Sequence, residues 1–179
     1  MFENMLDHPN IRIETDTNFF EHRQELTSQA GQVVYSGKID EYFDYRFGEL
    51  EYRSLQFKTE YLQGDYQGTS IVNYSSAEVP YTRVIEHKHF ALQQSDTTVI
   101  TREYPQAYTR GCEAFYPIRD ERNTQMYDQY RLLALQSGAI FGGRLGSYQY
   151  YDMHQVIAQA MAVASKQLSE NPTTHRIAA

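Results

Sequence analysis

The sequence has no tryptophan and only one cysteine. A lone thiol, Cys112, excludes an internal disulfide and a cysteine-held zinc site, and it suits the reducing cytoplasm. Basic residues are few: 16 Lys and Arg against 23 Asp and Glu leave a net charge of −7. Such a chain is a poor general binder of nucleic acid, because neutralising phosphates needs a basic surface. No apolar run approaches the roughly 18 residues that a membrane span needs. The opening Met1 to Asp7 has neither the basic nor the apolar region of a secretion signal. Large aliphatic residues are scarce too. Leu, Ile, Val and Phe together make up about a fifth of the chain, close to the roughly 20% below which chains tend to stay disordered. What is abundant is tyrosine, 16 in 179 residues. Each brings ring area plus a hydroxyl that must find a partner when buried. A tyrosine-rich interior predicts a wet cavity or a large interface rather than a dry core.

The chain shows no internal repeat, coiled coil or low-complexity tract. Met1 to Leu6 reads as the end of a helix stopped by Pro9. Ile11–Glu14 alternates and predicts a short strand, as does Gln32–Tyr35, and a helical piece is expected from Lys38 to about Arg46. From Leu50 the pattern becomes β-branched and aromatic. It predicts strands at Tyr52–Leu62, Thr69–Tyr74, Arg83–Phe90 and Thr97–Tyr104, with short links that imply an antiparallel sheet. After Tyr116–Pro117 comes an amphipathic helix containing Met126, Tyr127, Tyr130, Leu133 and Leu135. The buried strand Ala139–Phe141 follows, then the turn Gly142–Gly146. A last helix has Val156, Ile157, Ala160, Met161 and Ala164 on one face, with Asp152 and Gln155 in capping-box spacing. Residues 169–179 read as a frayed tail. The fold class is mixed, α+β. Strands near residues 13, 34 and 140 are too few for a parallel sheet covered on both faces, so that layer is incomplete.

Three places could carry chemistry. Gly142-Gly143-Arg144-Leu145-Gly146, followed by a capped helix start at Asp152, makes an anion site: glycines admit a ligand to the backbone, and Arg144 and the helix dipole favour negative charge. The alternative is a glycine turn with a surface arginine. Arg83, on a strand of a tyrosine-rich sheet, could clamp a phosphate, or simply pair with Glu86 or a neighbouring acid. His87 and His89 alternate along the same predicted strand and so share a face. No carboxylate is spaced to complete a metal motif with them, and no metal site is expected. Cys112 has no nucleophile pattern around it.

Several runs together carry a resemblance. Ile39-Asp40-Glu41-Tyr42-Phe43-Asp44-Tyr45-Arg46-Phe47-Gly48, Leu50–Leu55, Val79-Pro80-Tyr81-Thr82-Arg83, Glu86–Phe90, Phe115–Ile118, Phe141–Gly146 and Tyr150–Ile157 resemble the UDP-galactopyranose mutases, in the right order and over about Met1 to Leu168. The resemblance implies an isomerase that interconverts UDP-galactopyranose and UDP-galactofuranose for envelope polysaccharides. It works with reduced FAD through a flavin N5–sugar adduct and without net redox. It implies that Arg83 grips the UDP diphosphate as the catalytic residue and that Asn73, Glu103, Tyr116 and Tyr150 complete the substrate site. Phe19, Phe20, Arg144 and Tyr151, Asp152, Met153, His154, Gln155 and Val156 would bind FAD. By the same resemblance, residues 1–48 and 111–168 are pieces of an incomplete Rossmann-like FAD domain, and residues 49–110 are the antiparallel substrate domain. The family's Gly-x-Gly-x-x-Gly segment and helical domain have no match here, so the missing amino-terminal half is an expected partner, in cis or in trans, with the complete enzyme a homodimer. The chain alone is expected to be inactive. The competing expectations are a non-catalytic nucleotide-sugar binding module and a fragment of an amine-oxidase-like FAD oxidoreductase.

Overall fold

The structure, a computed structural model, describes residues 2–170. The tail expected to fray lies outside the described residues from 171 onward. Two long strands organise the middle of the chain. β2 (Tyr52–Gln63) and β5 (Thr97–Ala107) pair antiparallel without a break from Arg53 opposite Ala107 to Gln63 opposite Thr97. β4 (Arg83–Glu86) pairs with β5, β3 (Ile71–Asn73) with β4, and β6 (Tyr116–Pro117) with β2. The sheet order is therefore β3-β4-β5-β2-β6, antiparallel throughout. A second sheet has two parallel strands, β1 (Val34–Tyr35) and β7 (Ile140–Phe141).

The helices are α1 (Phe2–Leu6), α2 (Arg23–Gln29), α3 (Ile39–Tyr42), α4 (Glu121–Ser137), the single turn α5 (Gly143–Gly146) and α6 (Met153–Glu170). Local chemistry marks the limits of α4. Asp120 accepts the backbone N–H of Asn123 at 2.7 Å as its N-cap, and Gly138 closes it at φ +72°, a conformation glycine adopts without a Cβ clash. No helix among the described residues is long and apolar enough to cross a membrane.

The core lies where α3, β2, α4 and the segment after β7 meet. Ile39, Leu50, Tyr52, Tyr130 and Tyr148 are buried there, with Phe43, Met126, Tyr127, Phe141 and Leu145 packed against them. The hydroxyls of its tyrosines are met by protein groups. Tyr52 Oη donates to Asp40 at 2.9 Å and Tyr130 Oη to the Gly48 carbonyl at 2.7 Å, and Tyr148 Oη lies 2.7 Å from the carbonyls of both Glu51 and Ile118, which share its one proton. The hydroxyls thus do the work of loop hydrogen bonds.

Other expectations are corrected by pairing. Ile11–Glu14 forms no strand, because no neighbouring strand offers it a ladder; both isoleucines stay exposed. The helix expected from Lys38 to Arg46 stops at Tyr42, since Asp44 and Tyr45 turn at φ +52° and +54°. The strand expected to reach Phe90 ends at Glu86, and His87–Phe90 is a 3-10 turn. His87 and His89 therefore do not share a strand face. α2 was not foreseen, because Leu26 is its only large apolar residue and leaves no periodicity to detect.

Candidate functional site

The register of the large sheet builds the centre of the site. Asn73 on β3 lies opposite Arg83 on β4, Arg83 lies opposite Glu103 on β5, and Glu103 lies opposite Phe57 on β2. Directly opposed residues point to the same face, so the four side chains form one row across the sheet. Arg83 Nε donates to Asn73 Oδ1 at 2.9 Å, and its Nη1 lies 3.6 Å from Glu103 Oε2. Glu103 is nearly buried, with 10% of its side chain exposed, whereas Arg83 is 39% exposed. The acid that meets Arg83 is thus Glu103. Glu86 is three residues along β4 and falls on the opposite face.

From Phe57 the row continues as a chain of aromatic rings. Phe57 meets Phe115 edge-on at 5.6 Å, Phe115 leans on Tyr116 at 6.4 Å, and Tyr116 stacks on Tyr150 at 5.0 Å. The Arg144 guanidinium lies over both tyrosines, 5.1 Å from the Tyr116 ring centre and 5.7 Å from that of Tyr150. Its Nε donates to the Tyr151 carbonyl at 2.6 Å. The structure so brings Asn73, Arg83 and Glu103 into one cluster and Tyr116, Tyr150, Arg144 and Tyr151 into another. Phe57 and Phe115 join them. Neither phenylalanine stood out in the sequence. Only the β2–β5 register, which a chain read residue by residue does not contain, places Phe57 beside Glu103.

Arg144 belongs to α5, which leaves β7 through Gly142 and Gly143. No atom lies within 4 Å of the position a Cβ would take on Gly142, and Gly143 sits at φ +72°. At the start of α6 the capping box is present in half: Gln155 Oε1 accepts the Asp152 N–H at 2.8 Å. Met153, His154, Gln155 and Val156 make up this opening turn, Tyr151 and Asp152 lead into it, and Met153 is 74% exposed. Phe19 and Phe20 lie elsewhere. They pack with Tyr35 and Tyr42, on the face of the two-stranded sheet shared by Tyr35 and Phe141. The other face, that of Val34 and Ile140, forms with α6 an apolar groove of about 980 Å³ lined also by Val156, Ala160, Val163 and Leu168.

Glu86 serves the fold on the far face. Its fully buried carboxylate accepts the backbone N–H groups of Tyr66, Gln67 and Gly68 at 2.8–3.2 Å and the Thr98 hydroxyl at 2.7 Å. Burial alone would raise its pKa. The hydrogen bonds outweigh burial and bring it from 4.5 down to about 2. Asp65, Glu86 and His89 converge within 4.8 Å, but Lys88 already supplies a cation there, 2.5 Å from Asp65.

Comparison with known proteins fits this arrangement. Residues 1–150 match the family model of the UDP-galactopyranose mutases. A protein of Klebsiella pneumoniae described as a probable UDP-galactopyranose mutase is 39% identical over 94% of the chain and 44% of its own length. A dTDP-fucopyranose mutase of Escherichia coli is 36% identical over 96% and 47%. A UDP-galactopyranose mutase of Mycoplasma pneumoniae is 34% identical over 93% and 45%. The chain spans less than half the length of these relatives. With a family match over most of the chain and three relatives above 30% identity, the chain belongs to the UDP-galactopyranose mutase family.

Proposed function

We propose that this chain carries the substrate sheet and the closing cofactor-side helix of a flavin-dependent enzyme that interconverts UDP-galactopyranose and UDP-galactofuranose. The observation that carries the reading is the row Asn73–Arg83–Glu103: it presents one arginine beside an aromatic path to Tyr116 and Tyr150. The Arg83 fork makes charge-assisted contacts to the diphosphate, and the hydroxyls of Tyr116 and Tyr150 hydrogen-bond the same phosphates. Charge on UDP grows as it leaves the anomeric carbon, so donors held in place beforehand favour departure over the ground state. Asn73 and Glu103 flank the Arg83 guanidinium, one on each side.

FAD is implied by the family, and the residues fit one side of such a cofactor. Gly142 leaves open space before the backbone, Arg144 supplies a cation, and Tyr151 to Val156 lead into an 18-residue helix beside it. Phe19 and Phe20 would reach the adenine end. Reduced FAD, when bound, supplies the nucleophile for the anomeric carbon. The chain's part is to hold the diphosphate and orient the sugar.

The partner this implies is the amino-terminal half of the family, in cis or in trans. Its place is the apolar groove along Val34, Ile140 and α6, because two parallel strands with a bare face are not a finished layer. With it, residues 1–48 and 111–168 complete a Rossmann-like domain around the 49–110 substrate domain, and the complete enzyme is a cytoplasmic homodimer. A dTDP-linked 6-deoxyhexose is the second reading, since the dTDP-fucopyranose mutase is nearly as similar. The test is to combine the chain with an amino-terminal half, add FAD and dithionite, and assay UDP-galactofuranose and dTDP-fucofuranose conversion side by side. Turnover of UDP-galactofuranose supports the first reading; turnover of dTDP-fucofuranose alone supports the second. Turnover of neither sinks both.

A further inference from the structure

We propose that Asn73 and Glu103 act through Arg83 and not on the sugar: Asn73 orients the guanidinium, and Glu103 is a resident counter-charge that the incoming diphosphate displaces. The inference rests on the reading of Arg83 as the diphosphate clamp. Three observations carry it. The Asn73 oxygen is already engaged, accepting Arg83 Nε at 2.9 Å, which fixes the plane of the fork. Glu103 has 10% of its side chain exposed, and no other side chain among the described residues forms an ion pair with it; Arg102, next in sequence, points to the opposite face and pairs with Glu60. The contact between Arg83 and Glu103 is 3.6 Å, beyond a good hydrogen bond, so it supplies charge more than geometry.

The consequences differ for the two residues. A diphosphate that takes both Nη groups of Arg83 must compete with Glu103 for Nη1. A carboxylate beside an anion site repels the ligand as well as holding the arginine, so neutralising it strengthens anion binding. Without Asn73 the guanidinium loses its fixed plane, so anion binding weakens. Were Glu103 instead an acceptor for a sugar or ribose hydroxyl, Glu103→Gln would weaken binding.

The experiment measures UDP affinity calorimetrically for the 179-residue chain and its variants. Glu103→Gln is expected to tighten UDP binding roughly three- to tenfold, and Asn73→Ala to weaken it. A Glu103→Gln affinity that is unchanged or lower overturns the proposal. Failure of the unaltered chain to bind UDP sinks the diphosphate reading and the displacement with it. The pairing is then decided without ligand, by urea unfolding. Arg83→Ala strands a buried carboxylate and lowers the midpoint, and Arg83→Ala with Glu103→Gln restores it. A double variant no more stable than Arg83→Ala shows that Glu103 is not the counter-charge of Arg83.

Discussion

Arg83 stands between a neutral acceptor that orients it and an acid that balances it, and its own exposure leaves part of the fork open to a ligand. In the completed enzyme, Arg83→Ala should cost about 2–4 kcal/mol of transition-state stabilisation, the range for a lost oxyanion donor. Steady-state kinetics check this, and turnover equal to the unaltered enzyme would remove Arg83 from the site. Two buried residues act on stability instead. Tyr148→Phe strands the carbonyl of Ile118, while that of Glu51 keeps the Ile118 N–H, and should cost about 1–3 kcal/mol in urea unfolding. The hydrogen bonds hold the pKa of Glu86 near 2 in the folded chain, against 4.5 for an ordinary glutamate. The folded state therefore holds its charged form more tightly. That contribution is complete above pH 4.5 and is lost as pH falls toward 2. It amounts to something on the order of 2–3 kcal/mol. Glu86→Gln should flatten the stability profile between pH 5 and 2 by about that amount; an unchanged acid limb would show that the loop at residues 66–68 is held by something else.

At the scale of elements, α6 is the least finished part of the fold. Among its residues none is buried, and Ile157, Met161 and Leu168 are largely exposed. Its start depends on Gln155 returning to the Asp152 N–H, so Gln155→Ala should lower stability by about 0.5–1.5 kcal/mol. The groove between α6 and β1 offers a separate test of assembly. Val34 is 67% exposed, so Val34→Lys should change the stability of the chain by less than about 0.5 kcal/mol. If an amino-terminal half seats there, the same charge must be buried, and reconstitution of activity should fail. Full reconstitution by Val34→Lys would place that partner elsewhere.

For the whole molecule the two sheets stand on different footings. The antiparallel sheet has five paired strands and buried Val84 and Ile100, whereas the parallel sheet is two residues deep with an open face. Hydrogen exchange of the isolated chain should therefore find slow amides in β2, β4 and β5 and fast ones in β1 and β7. The isolated chain should not retain yellow, oxidised FAD on isolation, and should not convert UDP-galactofuranose when FAD and dithionite are then added. A yellow, monodisperse and active preparation would show that the amino-terminal half is dispensable.

The antiparallel middle was legible in the sequence because β-branched and aromatic runs between turn residues leave few other conformations open. The start of the last helix, the α+β class and the family motifs were legible for the same reason: each is written in neighbouring residues. Ile11–Glu14 alternates as a strand does, yet strand identity belongs to a pair, and none of the described residues pairs with it. The tyrosines were visible as a number only. Whether a hydroxyl faces water or a carbonyl depends on where Gly48, Glu51 and Ile118 arrive from elsewhere in the chain. Arg83 could be named in advance, but its acid could not. Glu86 was nearer in sequence, and the two-residue period of the strand turned it away, while the β4–β5 register brought Glu103 alongside from twenty residues further on. Local patterns constrain torsion angles, and the sequence holds those directly. Which charges meet depends on pairing between distant segments, and only the folded sheet decides that.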